Sequence, residues 1–140
     1  MNYSELIKNN QIKKGKFTKK QVKDCLNIAI RDIDTANKVL KINNDWGYNI
    51  AYNAMLQAVR ALMFFKGYRA IGEGQHKTTI QFAEITLGEE FSSTLDYLDR
   101  MRRRRNKTIY DVAGLISKKE ARESVKIAET FVEDISNILD

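Results

Sequence analysis

A chain of 140 residues with 43% hydrophobic and 30% charged side chains has the makings of one globular domain, which excludes a wholly disordered tail, a fibre and two independent cores. One cysteine, Cys25, and one histidine, His76, exclude an internal disulfide, a cysteine zinc knuckle and a multi-histidine metal centre. The net charge of +6 is unevenly held: residues 1–23 carry seven lysines against one glutamate, residues 100–107 carry five arginines and one lysine with no acid, and the rest of the chain is net acidic. The absence of proline leaves the chain open to long helices. With no apolar run of membrane-spanning length and no apolar stretch after the basic N-terminus, the expected location is cytoplasmic, away from any membrane.

Residues 1–17 read as a basic N-terminal arm or short helix, and residues 18–140 as one helical domain. The lysines of the arm either keep it solvated or attract a phosphate backbone or an acidic partner. From Thr18 onward, Val22, Leu26, Ala29, Ile33, Ala36 and Leu40 recur at spacings of four and three. This predicts a helix over about 19–41, with Thr18 and Gln21 as its capping box. Asn43, Asn44 and Asp45 break the pattern, and Asp45 is the predicted cap of a second helix that runs through Trp46, Ile50, Met55 and Leu62 to a stop at Gly67. Apolar on nearly every side, with Ala51, Ala54, Ala58 and Ala61 allowing close approach, this helix is predicted to be the central one.

Gly67, Gly72 and Gly74 predict a turning loop, followed by a helix over about 75–87 that Gly88 halts. A fourth helix carries Phe91, Thr94 or Leu95, Leu98, Met101 and then Arg105 along one face. The last is predicted to begin at Ser117, with Glu120 as box partner, and to bury Ala121, Val125, Ala128, Val132, Ile135 and Leu139. The expected architecture is all-α, a compact antiparallel bundle of about five helices. No period-two run is long enough to predict a sheet.

Arg105 is the most informative position, because it continues an apolar seam. A guanidinium there requires an internal carboxylate, or a groove that has opened to receive a phosphate or other anion. Asn106 and Tyr110 stand near it in the chain. An arginine can neutralise charge developing on a phosphoryl group, an asparagine can orient an oxygen, and a tyrosine can donate its hydroxyl. Arg102, Arg104 and Lys107 are candidate RNA or phosphate contacts. His76, at the start of the third predicted helix, is either a surface or capping residue or a further phosphate contact. Tyr52 and Arg60 are candidate lining residues of a groove facing the fourth helix. No metal-ligand set is predicted.

The stretches AYNAMLQAVRALMFFKGYR, GEGQHKTTIQFAE and RRRRNKTIYD, followed by a final helix opening SKKEARES, resemble the HEPN domains, and the resemblance covers most of the chain. It implies a helical bundle that dimerises, in many members encoded beside a minimal nucleotidyltransferase with which it forms a toxin and antitoxin pair. Catalytic members resembling this chain are metal-independent endoribonucleases built on an arginine, a following polar residue and a histidine four to six residues on, with two copies of the motif meeting across the dimer. Arg105 matches the arginine and Asn106 the polar residue, while Tyr110 stands where the histidine is expected. His76 resembles a histidine that many small members carry before the third helix. The resemblance thus implies a toxin-like endoribonuclease of cytoplasmic RNA that needs no cofactor, with Arg105, Asn106 and Tyr110 as its catalytic set. Its partners would be a second copy of the chain and a minimal nucleotidyltransferase antitoxin. The alternative is a noncatalytic dimeric module that binds nucleotide, RNA or the nucleotidyltransferase.

Overall fold

A computed structural model of the protein describes residues 1–107 and 113–140. In chain order these form α1 (Tyr3–Lys8), β1 (Ile12–Lys14), α2 (Lys19–Val39), α3 (Asn44–Lys66), β2 (Tyr68–Ala70), α4 (Gln75–Leu87), α5 (Ser92–Asn106) and α6 (Lys118–Leu139), with a single 3-10 turn at Glu89–Phe91. The five longer helices pack together as the all-α expectation required, and none is long and apolar enough to cross a membrane.

The helix ends follow local chemistry. Thr18 accepts from the Gln21 backbone while the Gln21 side chain accepts from the Thr18 N–H, so two orphan donors at the start of α2 are satisfied together. At the start of α3 the cap is Asn43, whose side chain accepts from the Trp46 N–H, and not Asp45. The Asp45 carboxylate instead accepts from the backbone of Gly114 at 2.6 Å and Ile116 at 3.1 Å, tying the segment before α6 to the head of α3. The end of α3 is set by Gly67 at φ 84°, left-handed backbone that a glycine adopts without steric cost.

Helix α3 is central. Its buried face includes Ala51, Tyr52, Ala54, Met55, Ala58 and Leu62, and it packs against α2, α4, α5 and α6. The link from Val39 to Asn44 is short, so α2 folds back on α3 as a helical hairpin. The deepest line of α2 is Cys25, Ala29, Asp32 and Ala36, rotated slightly from the predicted stripe, with Val22, Leu26 and Ile33 only half-buried. Asp32 tolerates that position because Asn53 Nδ2 donates to it at 2.8 Å and Arg31 pairs with it at 3.1 Å.

The absence of any sheet, expected from the sequence, is corrected by an antiparallel pair in which Ile12 faces Ala70, Lys13 faces Arg69 and Lys14 faces Tyr68. Three-residue strands are too short to leave a period-two signal. The pairing is continued by the Gly15 N–H donating to the Gly67 carbonyl, directly after the left-handed turn. Residues 1–17 are packed on the bundle through Leu6 and Ile12, at 0% and 1% exposure. The Tyr3 hydroxyl meets that of Thr86, and Gln11 donates to Gln81, both on α4.

Candidate active site

On α5, Leu95, Leu98 and Met101 are buried along one face, and the next turn of that face brings Arg105. The sequence left open whether a carboxylate or an opened groove meets this guanidinium. In the structure it is centred 5.8 Å above the ring of Tyr52, the fully buried aromatic of α3. A cation over a partly desolvated ring is worth about 0.5–2 kcal/mol. The arginine ends an apolar seam without entering a hydrocarbon core, and it remains half-buried.

The other end of Tyr52 completes the cluster. Its hydroxyl lies 3.0 Å from Nδ1 of His76, the second residue of α4, with the two rings tilted at 48°. Gly74 before it is left-handed, at φ 68°, and supplies no side-chain cap, so α4 begins directly with Gln75 and His76. Desolvation holds the His76 imidazole below its ordinary value, and the positive charges of Arg105, Arg102 and Arg60 push in the same direction, so it is neutral at physiological pH. Burial drives the Tyr52 phenol well above the tyrosine range against the opposing pull of Arg105 and Arg102, so it stays protonated. With the phenol donating to Nδ1, Nε2 carries the proton; with the phenol accepting, Nε2 is a free base. Side chains from α3, α4 and α5 thus present a guanidinium and a neutral, oriented imidazole close together, and His76 as a residue is exposed.

Acids on α5 and α6 engage much of the rest of the arginine run. Asp99, one turn earlier on α5, pairs with Arg102 at 2.9 Å and stands 3.8 Å from Arg103. Arg104 pairs with Glu120 at the head of α6, and its guanidinium lies 5.7 Å above the ring of Tyr48. Arg104 therefore fastens α5 to α6 and α3. The Glu120 carboxylate, expected to close a capping box with Ser117, reaches Arg104 instead, although Ser117 still accepts from the Glu120 N–H. Lys107 is exposed at the C-cap of α5, and Asn106 is the last residue of that helix. Tyr110 lies outside the described residues. Tyr52 does face α5, whereas Arg60 is exposed on α3, donates to Gln57 at 3.0 Å and lines a cleft towards β2 and α4.

The Tyr52–His76 bond spans 24 residues and has no local signature. One signal was present: a tyrosine buried on a helix needs a partner for its hydroxyl. Asp99 as the counter-charge of Arg102 was legible from the three-residue helical spacing.

Comparison with protein families matches the chain to the HEPN domain over residues 22–138. No curated protein matches it in sequence.

Proposed function

The chain belongs to the HEPN domain family, which includes ribonucleases of toxin–antitoxin pairs, and on that footing we propose that it is a toxin-like, metal-independent endoribonuclease acting on cytoplasmic RNA. The observation that carries this reading is the convergence of Arg105, Tyr52 and His76: an arginine beside a neutral, oriented imidazole suits cleavage of a phosphodiester by its own 2′-hydroxyl.

In that reaction the 2′-oxygen bonds to phosphorus, the bond from phosphorus to the 5′-oxygen breaks, and the products are a 2′,3′-cyclic phosphate and a 5′-hydroxyl. One proton leaves the 2′-hydroxyl and one reaches the departing oxygen. His76 Nε2 takes up the first proton in the tautomer whose Nδ1–H donates to Tyr52, and the imidazolium so formed returns a proton to the departing 5′-oxygen. Arg105 neutralises the charge that builds on the non-bridging oxygens, a contribution whose removal commonly costs about 10²–10³ in rate. Tyr52 is a positioning residue, because its hydroxyl reaches the reaction only through the imidazole. Asn106 orienting the substrate, Tyr110 donating at the cleavage point, and Arg102, Arg104 and Lys107 contacting phosphates belong to the same proposal, with Arg104 and Arg102 exchanging part of their carboxylate pairing for the substrate.

The tyrosine at position 110, where the family motif has histidine, favours a second reading: a noncatalytic dimer that binds nucleotide, RNA or a nucleotidyltransferase through the same groove. Both readings take a second copy of the chain and a minimal nucleotidyltransferase antitoxin as partners. The experiment is to incubate RNA with the purified protein in excess chelator, beside Arg105→Ala and His76→Gln. Cleavage by the wild type that both substitutions abolish supports the ribonuclease. Binding of RNA without cleavage supports the second reading, and equal cleavage by all three proteins rejects this site.

A further inference from the structure

A cleft of about 470 Å³ opens beside the Arg105 cluster, between α3, β2 and the first turns of α4, and His76 is common to both. Its floor is apolar: Leu56 and Met63 are buried, and Phe64 is stacked on Phe17 with ring centroids 4.3 Å apart and planes 13° from parallel. Its rim is cationic. Arg60 lies 5.7 Å over the Phe64 ring, and Arg69 stands directly opposite Lys13 in the β1–β2 ladder, so two positive side chains share one face of the sheet. Like charges so placed weaken a strand pair, and among the described residues no carboxylate forms an ion pair with Arg60, Arg69 or Lys13. Between floor and rim stand the amides of Asn53, Gln57 and Gln75; Asn53 Nδ2 donates to Asp32, Gln57 Oε1 accepts from Arg60 and Gln75 Nε2 donates to the Gly72 carbonyl, and an amide's two donor hydrogens and carbonyl oxygen leave each of them further bonding capacity for a ligand.

An aromatic floor, amide edges and unneutralised guanidiniums around a space of this size match one chemistry. Single-stranded RNA is bound by stacking its bases on aromatic rings and arginine planes, bonding base edges to polar side chains and neutralising phosphates. An acidic peptide would use the rim and leave the aromatic floor and the amides idle.

We infer that this cleft is a nucleotide subsite for single-stranded RNA: the base of the nucleotide next to the phosphate held at Arg105 seats against Phe64 and the amides, and its outer phosphate meets Arg60 and Arg69. This rests on the reading of Arg105 and His76 as the cleavage site, and it adds the side chains that would choose which nucleotide stands there.

The test is equilibrium binding of a short single-stranded RNA with methylated 2′-hydroxyls, which cannot be cleaved, to the full chain and to Arg60→Ala/Arg69→Ala, as a function of salt. Both arginines are exposed, so the double variant keeps its core, which circular dichroism verifies. The expected result is an affinity loss of about tenfold or more and a slope of log affinity against log salt shallower by about one per phosphate contact removed. Nucleoside monophosphates should also displace the RNA at concentrations where inorganic phosphate does not. Unchanged affinity and slope in the double variant would overturn the subsite, and displacement by phosphate as effective as by nucleotide would overturn its base-binding half. A parallel cleavage assay separates the two ideas. A wild type that does not cut RNA while the double variant loses binding removes the ribonuclease and keeps the subsite. A wild type that cuts while the double variant binds and cuts equally well does the reverse.

Discussion

Tyr52 exposes none of its surface, yet it meets both side chains to which the proposed reaction is assigned: Arg105 covers its ring and its hydroxyl holds His76 Nδ1. Tyr52→Phe keeps the platform and removes the hydroxyl. It should lower kcat for RNA cleavage by about 10–100-fold through a misoriented imidazole, with KM little changed and stability reduced by about 1 kcal/mol. An unchanged kcat would show that the bond does not serve the reaction. The lowered titration of His76 gives a second signature, since desolvation and the charges of Arg105, Arg102 and Arg60 all favour the neutral ring. The acidic limb of kcat/KM should therefore lie below the ordinary imidazole value of about 6.5. A limb at or above that value would assign the titration elsewhere. The sign for stability agrees: a histidine with a depressed folded value contributes fully above about 6.5 and loses that contribution as pH falls through the folded value. At this scale the sequence was half legible. Arg105 announced itself by falling on the seam after Leu98 and Met101. His76 was read only as a surface, capping or phosphate-contact residue, because its bond to Tyr52 comes from a helix that closes on it only in the tertiary fold.

Element boundaries were the most readable part, because caps are local chemistry. Thr18 with Gln21, Gly67 after Lys66, Gly88 after Leu87 and Ser117 before Lys118 all stand where the sequence placed them. Both misread acids, Asp45 and Glu120, were assigned local capping roles and instead reach across the fold, where backbone donors and a guanidinium offer charge-assisted bonds. The Glu120 carboxylate is held below its usual range chiefly by its bond to Arg104. Because the folded value is depressed, its contribution is present above the unfolded value of about 4.3 and is lost as pH falls through the folded one. Glu120→Gln should cost about 1 kcal/mol or less at neutral pH, since both side chains are over a third exposed, and the cost should vanish in strong acid; urea denaturation at the two pH values measures it. A difference that persists in acid would show that the carboxylate charge is not the source. Thr18→Ala should cost about 1 kcal/mol through the lost cap of α2, read in the same titration.

For the molecule as a whole, the sequence separated a basic N-terminal stretch from the bundle by charge alone, and charge was a poor guide to burial. Leu6 and Ile12 sit among lysines and are wholly inside, because α1 and β1 close the bundle beside α4. Leu6→Ala should therefore destabilise the protein by about 2–5 kcal/mol, as in any filled core, whereas substituting the exposed Lys8 should be near neutral; thermal unfolding compares them. Equal effects would mean that the segment is not part of the cooperative fold.

The same closure fixes β1 against β2 and so places Arg69 at the cleft next to His76, which joins the N-terminal segment to the site. The proposed cleavage of RNA through its 2′-oxygen rests on Arg105 and His76 acting together. Mass analysis of the ends produced from RNA in excess chelator tests it most directly. The expected result is 2′,3′-cyclic phosphate and 5′-hydroxyl ends with the wild type and intact RNA with Arg105→Ala and His76→Gln, both variants retaining the helical circular dichroism of the wild type. Intact RNA with the wild type, or the same ends from all three proteins, would contradict it.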